Sequence, residues 1–122
     1  MILSPGDTGV MDRGYQAHDL FDQWQEEKKY FLCRIKAKTK KTCIEAKKIN
    51  PHSNVFYDAL VLLGTPGINQ TKKPVRLVGY IVDGAKYWIA TSRYDLSAEQ
   101  IAFIYKLRWD IEKFFAWWKR HL

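Results

Sequence analysis

The sequence predicts one α/β domain with a strand-rich middle, and three observations support that fold class. Residues 9–36 have the order strand, helix, strand. Residues 75–92 hold two apolar runs joined by Asp83-Gly84, which is the pattern of a tight β-hairpin. Residues 97–122 begin with a helix-capping sequence and then keep a helical period. The chain of 122 residues is 47% hydrophobic, which is enough for a core.

The first unit begins with a short strand over 9–11 that ends at Asp12. Residues 17–28 then place apolar side chains at helical spacing, namely Leu20, Phe21 and Trp24. Residues 30–36 alternate as a strand does. A strand, a helix and a second strand in succession predict two neighbouring strands of one sheet.

The middle of the chain is predicted to be mostly β-structure. Residues 42–46 and 55–63 are expected to be strands, and residues 64–74 form a loop without periodicity. The hairpin follows, with predicted arms over 75–82 and 86–92.

The last helix has a complete set of starting signals. Ser97 and Gln100 have the spacing of a capping box, in which each side chain bonds the backbone of the other residue. Leu96 and Ile101 stand where a hydrophobic staple would place them. No Gly or Pro interrupts the helical pattern before Leu122.

Four polar residues of this helix, Tyr105, Arg108, Glu112 and Lys119, share one side of it. At about 100° per residue they fall within an arc of roughly 60°, which we call the signature arc. The neighbouring arc, called the apolar arc, is hydrophobic: Phe103, Ile104, Leu107, Ile111, Phe114, Trp118 and Leu122. We expect the apolar arc to enter the core. The signature arc then offers a carboxylate, two cations and a phenol, which suits a metal and a phosphate held together.

Positive charge is concentrated in one segment of this chain of net charge +7. Residues 28–48 contain a single anion, Glu45, and nine cations: Lys28, Lys29, Arg34, Lys36, Lys38, Lys40, Lys41, Lys47 and Lys48. Such a segment attracts polyanions and gives salt-dependent affinity. A solvated lysine-rich surface is the simpler alternative, and the residues alone leave both open.

Several classes of protein are disfavoured. No apolar run approaches the roughly 20 residues that span a bilayer, and the N-terminus lacks the features of a signal peptide. Cys33 and Cys43 are expected to be reduced thiols, and the three histidines are too scattered for a zinc site. A cytoplasmic protein is expected.

Asp12 and Glu112 are the candidate metal ligands. Asp12 ends a strand and Glu112 lies in mid-helix, so a helix packed over that strand could let both share a divalent cation. Each residue has a simpler explanation. Asp12 could form a turn, Arg108 and Glu112 could form a surface salt bridge, and Tyr105 could belong to the core.

Taken together, these residues resemble a known family. Tyr-x2-Arg-x3-Glu-x6-Lys, within LSAEQIAFIYKLRWDIEKFFAWWKRHL, is similar to the Tyr-Arg-Glu-Lys signature in the last catalytic helix of bacterial insertion-sequence DDE transposases. PGDTGVMDRGYQ resembles the family's second catalytic motif. The β-rich middle resembles the insertion that this group carries between its second Asp and its Glu.

The resemblance implies a partial RNase H-like fold with a β-rich insertion. It divides the single domain into a strand–helix–strand of the core at 1–37, the insertion at 38–95 and the catalytic helix at 96–122. The family's first catalytic Asp lies on an earlier strand and has no match in this sequence, since Asp7 is too close to Asp12. The chain is therefore expected to be a C-terminal part of the catalytic domain that is inactive alone.

The resemblance also assigns roles. Asp12 and Glu112 match the second and third metal-binding carboxylates of a site with two Mg²⁺ (or Mn²⁺) ions, while Tyr105, Arg108 and Lys119 match residues tied to phosphate. The implied reaction is phosphodiester hydrolysis and strand transfer at insertion-sequence ends. The implied partners are double-stranded DNA of transposon ends and target, and a second protomer in the synaptic complex. The implied location is the bacterial cytoplasm, in association with the nucleoid. Four lysines are expected to hold the DNA backbone: Lys36, Lys38, Lys40 and Lys41.

Two alternatives belong to other classes. A non-catalytic, basic, β-rich module that binds nucleic acid explains the lysines and aromatic residues, but leaves the helix pattern as coincidence. A restriction-type nuclease usually places Glu-x-Lys on a strand, whereas Glu112 belongs to a capped helix.

Overall fold

The computed structural model describes residues 5–12 and 16–121, apart from the side chains of Glu112 and Phe115. Over these ranges the chain forms two helices and six strands: β1 Thr8–Met11, α1 His18–Glu26, β2 Tyr30–Arg34, β3 Lys41–Ala46, β4 Val55–Leu63, β5 Val75–Val82, β6 Ala85–Thr91 and α2 Ala98–Arg120. Every predicted strand and helix is confirmed within a few residues. Neither described helix combines the length and apolar character needed to cross a membrane.

The described strands form one mixed sheet in the order β1-β2-β6-β5-β4-β3. β1 and β2 are parallel neighbours, as the strand–helix–strand pattern predicts, and every other pair is antiparallel. Because β2 pairs with β6, the strands of the β-rich middle extend the same sheet. The division of the chain at residues 37 and 95 remains a prediction.

Alternate residues of the strands supply two separate cores, because successive side chains point to opposite faces of a sheet. Phe31 belongs to the core on the α1 side, where its ring stacks on Phe21 with 4.6 Å between centroids. Leu32 belongs to the other core, which contains Ile101 and Tyr105 of α2. The two helices therefore cover opposite faces of the sheet.

The hairpin between β5 and β6 turns at the predicted residues. Asp83 has a φ of 51° and Gly84 a φ of 79°. Two successive positive φ values are typical of a type I′ turn, whose twist matches that of the flanking strands. The local sequence is thus sufficient to fix the register of this hairpin.

The start of α2 has the predicted capping box. The backbone N–H of Gln100 donates to Ser97 Oγ at 3.1 Å, and the backbone N–H of Ser97 donates to Gln100 Oε1 at 2.9 Å. Leu96 packs against the same core as Ile101, as the staple requires. These contacts fix the direction in which the chain enters the helix.

A buried ion pair links this helix start to the sheet. Arg76 of β5 donates to both carboxylate oxygens of Asp58 on β4, at 2.9 Å each, and their side chains are only 4% and 6% exposed. Arg76 Nη1 also donates to the backbone carbonyls of Arg93, at 3.1 Å, and Leu96. One guanidinium thereby joins two strands to the segment that leads into α2.

The prediction that the apolar arc of α2 enters the core is wrong for the described side chains. Ile104 is half-buried and Leu122 lies outside the described residues, but the other members are 44–59% exposed: Phe103, Leu107, Ile111, Phe114 and Trp118. The buried side of α2 consists instead of Ala98, Ile101, Ala102 and Tyr105. The small alanines let the helix approach the sheet closely, and the anchored helix start turns this side toward it.

The buried pair should make a large contribution to stability. We expect Asp58→Ala to lower the free energy of unfolding by about 3–5 kcal/mol, because it leaves the Arg76 guanidinium buried without its counter-charge. Urea unfolding of the chain measures the change. Asp95→Ala is the matched control, since it removes a carboxylate that pairs with Arg93 at the surface. Equal losses in the two variants would contradict the anchoring role of Arg76.

Candidate active site

Asp12 directly follows β1 and is exposed at the end of the parallel pair of strands. Val10, two residues earlier, packs against the core beneath α2. Because side chains two residues apart in a strand point to the same face, Asp12 is expected on the same side as Val10. The thiol of Cys33, on β2, donates to the backbone carbonyl oxygen of Asp12 at 3.5 Å. The sheet thus holds this carboxylate at its edge and on its α2 face.

Tyr105 and Arg108 of α2 lie close to this carboxylate. Tyr105 is 5% exposed, and Arg108, one turn later, is half-buried. Burial raises the pKa of the Tyr105 phenol, the guanidinium groups of Arg108 and Arg34 lower it, and the Asp12 carboxylate raises it. Groups from β1, β2 and α2 are therefore within electrostatic reach of one another.

The thiol of Cys33 lies near the same charged groups. Burial raises its pKa to about 12, with a further raising effect from Asp12 and an opposing effect from Arg108. Cys33 and Cys43 are both free thiols, as expected. Tyr105 and Cys33 are thus both near enough to Asp12 and Arg108 for these two charges to act on them, which is consistent with both charges lying at the same end of the sheet.

The other two members of the signature arc lie further along α2. Glu112 is one turn beyond Arg108, roughly 6 Å along the helix axis, and its side chain is outside the described ones. Lys119 is exposed about 16 Å beyond Arg108 along the axis. The structure therefore brings Asp12, Tyr105 and Arg108 together and leaves Lys119 at a distance.

The described side chains near Asp12 include a ligand of the type that a hard divalent cation prefers, but they do not include a full set of ligands. Asp12 offers carboxylate oxygens, which Mg²⁺ prefers. Among the side chains that the structure describes, no three His, Cys, Asp or Glu residues are grouped to hold a metal ion.

Arg34 lies near the same groups, although the sequence does not single it out. Its guanidinium lies 4.7 Å from the centroid of the Tyr87 ring, and its charge acts on Tyr105. In the sequence it was one of nine cations. Strand alternation could have identified it, because Leu32 faces α2 and Arg34, two residues later, shares that face.

The nine cations of residues 28–48 have different surroundings. Lys29 forms an ion pair with Glu27 at 2.9 Å, and the Lys41 ammonium lies 4.2 Å from the centroid of the Trp88 ring. Lys36, Lys38 and Lys40 instead line an open cleft of about 480 Å³. Of the four lysines expected to hold DNA, Lys36, Lys38 and Lys40 thus share a cleft, whereas the ammonium group of Lys41 lies over the Trp88 ring.

Comparison with known proteins identifies the relatives of the chain. The family model described as a transposase DDE domain matches residues 2–122. A Sinorhizobium fredii protein named as a transposase, y4zB, is 30% identical over an aligned length of 127 residues, which is 100% of this chain and 36% of that protein. A Geobacillus stearothermophilus protein named as a transposase for insertion sequence element IS5377 is 30% identical over 117 residues, 93% of this chain and 30% of that protein. The chain spans about a third of the length of these curated relatives, and no solved structure matches it.

The position of Cys33 next to Asp12 can be tested with a thiol reagent. We expect Cys43, which is exposed, to react at once in the folded chain, and Cys33 to react only when the chain unfolds. Mass spectrometry of Cys33→Ala and Cys43→Ala proteins, labelled with and without urea, separates the two thiols. Immediate labelling of Cys33 in folded Cys43→Ala protein would contradict the packing of β2 behind Asp12.

Proposed function

The chain belongs to the family of transposase DDE domains, and from that membership we propose that it carries part of a DNA cleavage and strand-transfer site. In the proposed reaction, water hydrolyses a phosphodiester at an insertion-sequence end and frees a 3′-hydroxyl. That hydroxyl then attacks a phosphodiester of target DNA and displaces its 3′ oxygen. Because the chain covers about a third of its relatives, these steps are proposed for the whole protein.

The observation that carries this proposal is the grouping of Asp12, Tyr105 and Arg108. A carboxylate can hold a cation but repels a phosphate, and a guanidinium binds a phosphate through paired N–H groups. Their proximity at one sheet end therefore suits a phosphodiester that is bound together with a divalent cation. A site with the guanidinium alone would bind DNA without the means to activate water.

We assign the metal to Asp12 and Glu112, with Mg²⁺ or Mn²⁺ as the ion. When bound, two such ions activate water and stabilise the leaving oxygen. Arg108 holds a non-bridging phosphate oxygen. Tyr105, whose pKa is raised by burial, keeps its proton and donates from a fixed position. Lys119, further along the helix, contacts a neighbouring stretch of DNA backbone.

The proposed frame is an RNase H-like sheet. Its support is the parallel pair β1–β2, the carboxylate at the end of β1 and the helix α2 on the same face. β3 to β6 then correspond to the insertion, which continues the sheet from β2. A strand bearing the first catalytic carboxylate would lie beside β1, whose outer side has no partner strand among the described residues.

The family site uses three carboxylates and this sequence matches two, so we expect the chain alone to bind DNA without cutting it. In the whole protein, Lys36, Lys38, Lys40 and Lys41 would hold DNA backbone, and a second protomer would complete the synaptic complex. A purely DNA-binding module is not favoured, because it leaves the grouping of Asp12 with Arg108 unexplained.

The role of Glu112 can be tested in the longest protein encoded by the reading frame that contains this chain. We expect Glu112→Gln to lower cleavage of insertion-sequence ends at least about 100-fold, because the isosteric amide binds a divalent cation poorly. DNA binding should change little. The measurements are gel-resolved cleavage and fluorescence anisotropy in the presence of Mg²⁺.

The matched control is Glu99→Gln, which removes an exposed carboxylate in the first turn of the same helix. It should cleave as the unmodified protein does. Unchanged cleavage by Glu112→Gln would refute the metal assignment and leave the DNA-binding module as the better description.

A further inference from the structure

We propose that Gln16 is a positioning residue for Asp12, because it ties the chain that follows this carboxylate to the end of the neighbouring strand β2. Gln16 lies four residues after Asp12 and shortly before α1. The role of Asp12 as a metal ligand rests on the proposed function. The tether itself rests on the hydrogen bonds of the Gln16 side chain.

Both ends of the connection from Asp12 to Gln16 are attached to β2 or to the residues directly after it. Met11, directly before Asp12, is the partner of Cys33 in the parallel ladder, and the Asp12 carbonyl oxygen accepts from the Cys33 thiol at 3.5 Å. At the other end, Gln16 Oε1 accepts from the backbone N–H of Lys36 at 2.8 Å, two residues past the end of β2. A short chain that is held at both ends has fewer conformations than one held only at its start.

The Gln16 amide has one orientation that satisfies all of its partners. Nε2 lies 2.9 Å from Thr39 Oγ1 and 3.0 Å from His18 Nε2, while Oε1 accepts from the backbone N–H of Lys36. His18 Nδ1 lies 3.0 Å from the carbonyl oxygen of Asn69, which only accepts, so in the neutral ring Nδ1 carries the proton and Nε2 accepts. A flipped amide would place two acceptors together at His18 and two donors together at Lys36. The tether is therefore specific for glutamine.

The residues that hold Gln16 are themselves held in place. His18 is buried, and its ring centroid lies 5.9 Å from that of Phe21, which belongs to the core. Asn69 Oδ1 accepts from the backbone N–H of Thr65 at 2.8 Å, and the backbone N–H of Asn69 donates to the carbonyl oxygen of Thr65 at 3.1 Å. The tether thus ends on ordered parts of the fold, so it can fix the position of the residues before α1.

A simpler role for Gln16, as a cap for α1, does not agree with its contacts. The N-cap of α1 is Ala17, which has no side-chain cap bond. A capping side chain accepts from a backbone N–H of the first helical turn. Among the described residues, the Gln16 side chain bonds the His18 ring, Thr39 and Lys36, and no first-turn N–H. Its contacts therefore fix the connection after Asp12 rather than the start of the helix.

The tether matters because Asp12 is exposed, so packing restrains its side chain less than it would restrain a buried one. The position of such a carboxylate depends on the backbone on either side of it. The β1–β2 ladder restrains the side before Asp12, and Gln16 restrains the side after it. Groups that hold a metal ligand in place without touching the metal commonly change metal affinity when they are removed.

The tether can be tested in the chain, without metal or DNA, by the rate at which a thiol reagent labels Cys33. In a Cys43→Ala background, we expect Gln16→Ala to label Cys33 several-fold faster than the parent under folding conditions. The reason is that a looser connection opens more often around the thiol that bonds the Asp12 carbonyl. Mass spectrometry follows the labelling, and each rate is divided by the rate of the same variant in urea.

The matched control is Gln25→Ala, which removes another half-buried glutamine that ties α1 to a distant segment. Gln25 Nε2 donates to the carbonyl oxygen of Pro74 at 3.1 Å, and Gln25 Oε1 accepts from the Tyr94 hydroxyl at 2.5 Å. This variant should label Cys33 at the rate of the parent. Equal acceleration in the two variants, or none in Gln16→Ala, would overturn the proposal.

A second variant covers the case in which Gln16→Ala does not fold, which circular dichroism reveals. Thr39→Val keeps the shape of the side chain and removes the hydroxyl that accepts from Gln16 Nε2. We expect it to accelerate the labelling of Cys33 by a smaller factor, because the bonds to Lys36 and His18 remain. Labelling at the rate of the parent in folded Thr39→Val protein would count against the tether.

The consequence for Asp12 is measured in the longest protein encoded by the reading frame that contains this chain. We expect Gln16→Ala to require a roughly 10-fold higher Mg²⁺ concentration for half-maximal cleavage, with a much smaller change at saturating Mg²⁺. An unchanged Mg²⁺ requirement, together with faster labelling of Cys33, would overturn the positioning role, because the tether would then serve only the fold. Normal cleavage by Glu112→Gln protein overturns the proposed function instead, and the labelling experiment does not depend on it.

Discussion

The arrangement of this molecule depends on the buried guanidinium of Arg76. Its bonds to Asp58 and to the carbonyls of Arg93 and Leu96 satisfy a charge that would otherwise be costly inside the protein. These partners come from β4 and from the segment before α2, so one side chain joins the start of the helix to the sheet. The Ser97–Gln100 box then decides its direction. The position of the signature arc therefore depends on how these two sets of contacts hold the first turn of the helix.

The sheet separates two kinds of charged surface. On the α2 side, strand alternation brings Asp12 and Arg34 beside Arg108, so charges of both signs meet at one end of β1 and β2. In the open cleft beside the β2–β3 turn, the described lining holds Lys36, Lys38 and Lys40 and no carboxylate. Mixed charge suits chemistry on a phosphate with a cation, whereas positive charge alone suits retention of a polyanion.

Features encoded by neighbouring residues could be predicted from the sequence, and features that join distant residues could not. Asp83-Gly84 and Ser97–Gln100 act within a few residues, so their turn and cap were predicted in detail. Asp58 and Arg76 are 18 residues apart, and Gln16 reaches a turn more than 20 residues away. No periodicity signals such pairs. The apolar arc shows the same limit, because a helical pattern identifies a hydrophobic stripe but not which stripe faces the sheet.

The buried residues of α2 and the residues of the signature arc lie on the same side of the helix. The buried residues belong mainly to its first part, and the signature arc continues along the rest of it. Relative to Tyr105, the buried residues Ala98, Ile101 and Ala102 fall within about 60° on either side, and so do Arg108, Glu112 and Lys119. Along this row the residues change from apolar to charged after Tyr105. Arg108, half-buried, stands at that boundary. A group there is held by the packing below it and is open to a ligand above it. Because orientation requires packing and substrate access requires exposure, the boundary is the position on this helix where both conditions hold.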